Sequence, residues 1–145
     1  MKIYQTPIQV RWSDLDPNAH LRHSVYYDWG AMCRVLYFNQ HHLTTAVMHQ
    51  IQVGPVLFRE ECVFRKEIRF GDEVTIDLQL IKAKRDLSRW SVRHTIRKGE
   101  GIESAILTVE GAWIDLAKRK LTAAPQIILD VFQAMPHPDD FIWDE

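Results

Sequence analysis

The chain has 145 residues, the size of one ordinary domain with a single hydrophobic core. Hydrophobic residues make up 46% of it and charged residues 26%, a balance that excludes a disordered or fibrous protein. Its 18 lysines and arginines nearly cancel its 19 aspartates and glutamates, so binding of nucleic acid through bulk charge is not expected. The 5 tryptophans favour flat contact surfaces or an apolar pocket.

Nothing in the sequence indicates export or membrane insertion. The first residues lack the apolar stretch of a signal peptide, and no apolar run is long enough to span a bilayer. Cys33 and Cys62 are far apart and lie inside apolar patterns, which favours small core residues over a disulfide or a reactive thiol. We therefore expect a cytoplasmic protein with no membrane span.

The first third of the chain predicts a strand, a loop and a helix. Apolar and polar residues alternate over 8–12, which predicts a short strand, and the turn-forming residues of 13–23 predict a loop. Apolar residues then recur at helical spacing, with Ser24 as the predicted N-cap. The predicted apolar stripe of this long helix is Val25, Trp29, Met32, Cys33 and Leu36. Residues 43–52 are ambiguous, and another helical turn is one alternative.

After Gly54 the hydrophobic period changes from helical spacing to strict alternation, which predicts an antiparallel meander. The predicted strands are 56–68, 74–80, 90–96 and 102–115. Pro125 is expected at the first position of a short helix. We therefore predict an α+β domain over residues 1–135, in which a curved antiparallel sheet wraps one long helix. Residues 136–145 are expected to be a C-terminal tail that docks on a partner subunit.

The loop ahead of the long helix is the one polar, chemically dense stretch. The first N–H groups of a helix lack intrahelical partners, and the helix dipole adds partial positive charge there. A carboxylate such as Asp16 facing those groups could attack a carbonyl carbon or deprotonate a water, while the N–H groups polarise the carbonyl oxygen. Asp14 and Asp16 could equally form an Asx turn and a cap. The spacing of Asp16, His20 and His23 matches no specific zinc signature, so no metal is expected.

At this loop the sequence resembles the hotdog-fold acyl-CoA thioesterases of the 4-hydroxybenzoyl-CoA thioesterase type. The family pattern is an aromatic-rich strand, then D-x-D-x-x-G-H-V-N-N-x-x-Y and a central helix. The chain has Asp14-Leu15-Asp16-Pro17-Asn18-Ala19-His20-Leu21-Arg22-His23-Ser24-Val25-Tyr26 at this place. Residues 64–74 resemble the family's aromatic and Gly-Asp hairpin. The resemblance covers roughly residues 3 to 133 and implies the hotdog fold.

The resemblance also implies a role for each matching residue. Asp16 matches the acid that serves as nucleophile or general base, and the N–H groups around His23 and Ser24 match the donors that polarise the thioester carbonyl. Tyr26 and His20 match site-lining residues, and His20 looks more like a loop-organising residue than the base. The chain departs from the family pattern at Ala19, in place of Gly, and at the pair Arg22-His23, in place of Asn-Asn. Arg22 could therefore pair with Asp16 or meet an anionic part of the substrate.

The resemblance implies an acyl-CoA substrate and no cofactor. CoA carries phosphates, and Lys84 and Arg85, at a predicted hairpin turn, are the expected phosphate ligands, although a solvated strand face would look the same. The same pocket would suit a non-catalytic acyl-thioester binding or sensor module, or a thioesterase acting on acyl-carrier-protein substrates. Without the resemblance, a cone-shaped α+β ligand-binding domain is a further alternative. An unpaired sheet edge predicts a homodimer or a dimer of dimers.

Overall fold

The computed structural model describes residues 3–145, which form three helices and eight strands. The helices are α1 (Val25–Gln40), α2 (Thr45–Ile51) and α3 (Gln126–Gln133). The strands are β1 (Gln5–Ile8), β2 (Val53–Phe64), β3 (Val74–Asp77), β4 (Gln79–Ala83), β5 (Arg89–Lys98), β6 (Ile102–Asp115), β7 (Lys120–Leu121) and β8 (Ile142–Trp143). No helix in this part of the chain is long and apolar enough to cross a membrane.

Strand β5 lies at the centre of the sheet. It pairs with β6 on one side and with β3 and β4 on the other, and β1 extends the sheet beyond β3. Strand β2 pairs with β6 alone among the described strands, so it forms the opposite edge. Because α1 contacts strands on both sides of β5, the sheet curves around the helix. This arrangement confirms the hotdog fold that the resemblance implied.

The alternation predicted for the last two meander strands is confirmed. In β5 the residues Trp90, Val92, His94 and Ile96 are all buried. In β6 the inward residues Ala105, Leu107, Val109 and Trp113 have no exposed surface. These side chains share one face of the sheet because successive residues of a strand point to opposite faces.

The predicted apolar stripe of α1 is only partly correct. Met32 and Leu36 are 52% and 40% exposed, whereas the charged residue Arg34 is buried. The reason is the curved sheet, which covers two neighbouring stripes of the helix and leaves the Met32 face open. The helix also lies unusually close to β6 at Gly30, where an added Cβ would come 2.3 Å from Leu107 Cδ2.

The first strand is shorter and earlier than predicted. Strand β1 covers Gln5–Ile8, and residues 12–14 form a 3₁₀ turn in which Trp12 is 79% exposed. The buried carboxylate of Asp14 accepts hydrogen bonds from the backbone N–H of Arg11 at 2.9 Å and from its guanidinium at 2.8 Å. These bonds bend the chain into a turn at the point where the alternation predicted an extended strand.

Two other element boundaries differ from prediction, and one ambiguous segment is resolved. Strand β2 ends at Phe64 rather than at residue 68, because the N–H groups of Arg65 and Lys66 both donate to the carbonyl of Ser104 and the regular pairing stops there. Pro125 is the N-cap of α3 rather than its first residue, since its backbone is extended and its carbonyl accepts from the N–H of Ile128 at 3.0 Å. The ambiguous segment 43–52 contains α2, so the helical alternative is correct.

The C-terminal tail packs on its own subunit. Strand β8 runs parallel to β4, with Ile142 opposite Lys82, and the N–H of Asp144 donates to the carbonyl of Ala83 at 2.8 Å. The open edge of β4 offers backbone groups that β8 can pair with, and docking of the tail on a partner subunit stays a prediction.

Candidate active site

A cleft of about 310 Å³ opens between the polar loop, the start of α1 and the segment that follows β2. Its lining residues are Asp16, His20, Leu21, His23, Tyr26, Phe64, Arg65, Lys66 and Glu67. Of the residues predicted for the site, Asp16, His20, His23 and Tyr26 are brought together here. Ser24, Arg22, Lys84 and Arg85 do not line it.

Hydrogen bonds to the rest of the protein fix the polar loop on the sheet. The N–H of Leu21 donates to the carbonyl of Ile68 at 2.7 Å, and the N–H of Arg22 donates to the carbonyl of Asp14 at 2.8 Å. Asp14 itself has no exposed surface, and its hydrogen bond with Arg11 holds the pKa of its carboxyl below the ordinary value. Asp14 thus anchors the loop, and Asp16 is the carboxylate presented to the cleft.

The carboxylate of Asp16 accepts hydrogen bonds at one oxygen and contacts the His20 ring with the other. Oδ1 accepts from the N–H groups of Asn18 at 2.9 Å and His20 at 3.4 Å, which is an Asx turn. Oδ2 lies 3.1 Å from Nδ1 of the His20 ring. One carboxylate thus closes the Asx turn and also lines the cleft, and its catalytic role stays a prediction.

The start of α1 offers backbone donors beside this carboxylate. Within residues 3–145, the N–H groups of His23 and Ser24 find no hydrogen-bond acceptor. Ser24 occupies the predicted N-cap position, but its helical φ and ψ of −72° and −24° do not let its side chain cap the helix. The predicted capping bond is therefore absent, and Ser24 Oγ instead accepts from Nε of Arg22 at 3.1 Å.

The Arg22 side chain points back along the loop. Its guanidinium donates to the carbonyl of Ser13 at 2.9 Å as well as to Ser24 Oγ. Of the two alternatives for Arg22, the pairing with Asp16 is not formed, and contact with an anionic part of the substrate stays a prediction.

An aromatic pair closes one side of the cleft. The rings of Tyr26 and Phe64 meet edge to face with centroids 4.9 Å apart. Burial raises the pKa of Tyr26 to about 12, so its hydroxyl stays protonated at neutral pH. The wall formed by residues 64–67 was not predicted from the sequence. The bridge between His20 and Arg69 brings it to the polar loop, and the Gly-Asp hairpin resemblance was the one signal that could have indicated it.

Lys84 and Arg85 lie at the turn between β4 and β5, outside the cleft. Arg85 Nε lies 2.9 Å from Oε1 of Glu145, and its guanidinium stacks 4.8 Å from the ring centre of Trp143. Residues of the C-terminal tail thus pair with Arg85, one of the two cations expected to bind substrate phosphates. Across residues 3–145, no group of three or more His, Cys, Asp or Glu side chains is arranged to hold a metal ion.

The sequence matches the family model of the thioesterase-like superfamily over residues 10–140, nearly the whole chain. The chain belongs to this superfamily, and the expectation of a thioester hydrolase is confirmed at the level of the family. A search of curated proteins finds no significant match.

Solved structures with the same fold support the architecture. A hypothetical protein of Staphylococcus aureus in complex with CoA has a TM-score of 0.83 and 17% identity, covering 96% of this chain and 91% of that chain. A 1,4-dihydroxy-2-naphthoyl-CoA thioesterase from Synechocystis has a TM-score of 0.82 and 17% identity, with coverages of 94% and 100%. A DHNA-CoA thioesterase from Staphylococcus aureus has a TM-score of 0.80 and 19% identity, with coverages of 92% and 89%. At these identities the likeness establishes the hotdog fold.

Proposed function

We propose that the protein hydrolyses acyl-CoA thioesters in the cleft at the start of α1. The observation that carries this proposal is the placement of the Asp16 carboxylate in one cleft with the free N–H groups of His23 and Ser24. Two of the structures that share the fold are named as CoA thioesterases and a third was solved with CoA, which supports a CoA ester as substrate.

The proposed reaction divides between the carboxylate and the helix start. The N–H groups of His23 and Ser24 would polarise the thioester carbonyl, and stabilisation of this kind is typically worth about 10²–10³-fold in rate per donor. Asp16 would either attack the carbonyl carbon, forming a transient mixed anhydride, or support the deprotonation of an attacking water. His20 and Tyr26 would line the bound acyl group.

We expect Asp16→Asn to lower kcat by at least about 10²-fold, the ordinary contribution of a catalytic base or nucleophile. Asparagine keeps the oxygen that accepts from the Asn18 N–H, so the Asx turn and the folded state should survive within about 1 kcal/mol. The measurement is thiol release from short, long and aromatic acyl-CoA esters. Asp28→Asn is the matched control, since Asp28 is an exposed acid of α1 outside the cleft.

Full activity of Asp16→Asn would show that the carboxylate only closes the turn, and would contradict the proposed mechanism. Tight binding of acyl-CoA without thiol release by the natural chain would instead indicate the sensor alternative. Release from acyl-carrier-protein substrates, with none from CoA esters, would favour a carrier-protein thioesterase. Lys84 and Arg85 stay predicted phosphate ligands. If the substrate phosphates displace Glu145 from Arg85, Arg85→Ala should raise KM for CoA esters.

We further propose that β2 pairs with β2 of a second copy to form a homodimer, with a dimer of dimers as the larger alternative. The outer edge of this 12-residue strand has no partner in residues 3–145. Its exposed apolar residues continue onto the open face of α1. They are Leu57, Phe58, Val63 and Phe64 on β2, and Met32, Val35 and Leu36 on α1. An antiparallel edge is self-complementary, so a second copy fits it.

A cytoplasmic location is also proposed. The support is that Cys33 and Cys62 are both free thiols, as is usual in a reducing compartment.

A further inference from the structure

One ring nitrogen of His20 lies against the Asp16 carboxylate, and the other makes no contact of this kind in the described part of the chain. Its Nδ1 lies 3.1 Å from Oδ2 of Asp16, and its Nε2 has no hydrogen-bond partner among the side chains and backbone of residues 3–145. The ring lines the cleft and is 31% exposed. A carboxylate accepts hydrogen bonds and cannot donate them, so Nδ1 carries the proton of the neutral ring. The lone pair is then on Nε2, the nitrogen available to a ligand.

The contacts of the Asp16 carboxylate all lie within its own loop. Oδ1 accepts from the N–H groups of Asn18 and His20, and Oδ2 lies 3.1 Å from Nδ1 of the His20 ring. Attack by Oδ2 on an acyl carbon would compete with its contact to the His20 ring. A carboxylate that orients an imidazole through Nδ1–H is a known way to prepare a histidine for general-base work.

We infer that His20 Nε2 takes the proton of the attacking water and that Asp16 is the residue that positions this histidine. The inference rests on the proposed function and selects the water route of the two open to Asp16. It also departs from the resemblance, in which His20 looked like a loop-organising residue.

The steps balance without a cofactor. The water oxygen forms a bond to the thioester carbon while one of its protons moves to His20 Nε2, and the N–H groups of His23 and Ser24 hold the resulting oxyanion. When the intermediate collapses, the carbon–sulfur bond breaks and the imidazolium returns its proton to the thiolate. The products are a carboxylic acid and a free thiol.

Several other groups of the cleft face the same imidazole. His23 lies at the start of α1, and Lys66 and Glu67 lie on the wall that follows β2. Glu67 is paired with Arg69, which forms the backbone bridge to His20. A pH profile alone would therefore report the charges of the whole cleft, so the test needs a readout specific to the ring.

The test compares His20→Ala with the natural chain and with His49→Ala, a control histidine on α2 that lies outside the cleft. We expect His20→Ala to lose about 10²–10⁴-fold in kcat with KM changed less than fivefold, as for loss of a general base. Free imidazole in the assay should restore part of the rate in His20→Ala, in proportion to its neutral fraction, and should not restore Asp16→Asn. Loss that imidazole cannot restore would show that His20 only organises the loop, and would overturn the inference.

A second measurement is independent of turnover. The nitrogen chemical shifts of the His20 ring should show the Nδ1–H tautomer in the natural chain and the Nε2–H tautomer in Asp16→Asn. An Nε2–H tautomer in the natural chain would overturn the inference, as would a His20→Ala variant that keeps more than a tenth of the activity. Absence of thiol release from the natural chain contradicts the proposed function itself. Activity that survives His20→Ala but not Asp16→Asn contradicts this inference alone.

Discussion

Ala19 has a left-handed backbone, with φ of 64°, in the loop that carries Asp16 and His20. The resembled family has glycine at this position, and glycine alone adopts such a φ without a clash between its Cβ and the backbone. The N–H of Ala19 donates to the carbonyl of Asp16 at 3.0 Å, so the strained residue helps close the turn. The contacts of the loop hold this strained backbone in place.

We expect Ala19→Gly to raise the free energy of unfolding by about 0.5–1 kcal/mol. Relief of the left-handed strain is worth roughly 1–2 kcal/mol, and the greater freedom of glycine in the unfolded chain offsets about 0.5–1 of it. Urea unfolding measures the change. The control is Ala31→Gly, an exposed position inside α1, where the same substitution should lower stability by about 1 kcal/mol. Equal losses at both positions would contradict the strain at Ala19.

At the scale of elements, the contact between α1 and the sheet contains a polar chain that no apolar pattern indicates. His94 of β5 donates through Nδ1 to the carbonyl of Asp77 at 2.8 Å and accepts at Nε2 from Arg34 of α1 at 2.9 Å. Burial, together with the positive charge of Arg34, lowers the pKa of His94 from its ordinary 6.5 to about 3. His94 is thus a buried strand residue with both ring nitrogens hydrogen-bonded.

The stability of the protein should therefore fall as the pH drops from about 6.5 toward 3. In that window the unfolded chain binds a proton at His94 and the folded chain does not, so acid favours unfolding. Urea midpoints at pH 7.5, 5.5 and 4.5 measure the effect. His94→Gln can still bond both neighbours but does not titrate, so its stability should depend less on pH. Equal slopes for the two proteins would show that the carboxylates, and not His94, carry the dependence.

At the scale of the whole molecule, the open edge of β2 makes association the main prediction. Val63 is 46% exposed on this edge, and a lysine there would place an unpaired charge in the proposed interface. We expect Val63→Lys to shift the protein from dimer to monomer in sedimentation at micromolar concentration. Ile102→Lys is the control, since Ile102 is 48% exposed at the start of β6, beyond the residues that pair with β2. A natural chain that is monomeric under these conditions would contradict the proposed dimer.

Much of the fold could be read from periodicity. The alternation of β5 and β6 and the helical spacing after Ser24 placed three major elements, because each buries one face against the same core. The errors fall where a single side chain or a turn overrides the pattern. Asp14 bends the chain at Trp12, and the carbonyl of Ser104 ends β2 at Phe64. Such bonds join residues whose types alone do not reveal the partner.

Some features of the candidate site likewise follow from the sequence, and others only from the tertiary structure. The sequence by itself determined that a carboxylate loop precedes a helix N-terminus, since the motif and the start of the apolar period are local. Only the tertiary structure decided that residues 64–67 close the cleft, that Arg22 turns to Ser13, and that Glu145 covers Arg85.

The composition is that of a nearly neutral domain rich in tryptophan, and the structure shows where its charges and its tryptophans lie. Glu145 of the C-terminal tail pairs with Arg85 of the β4–β5 turn, and Asp140 lies near Arg93 of β5. Trp90 and Trp113 fill the core, while Trp12 faces solvent. Composition and local pattern set which groups are available and which elements form, because backbone periodicity is a short-range property. Which charges meet and which aromatics are buried is decided by the curvature of the sheet around α1, a long-range packing result that no local pattern contains.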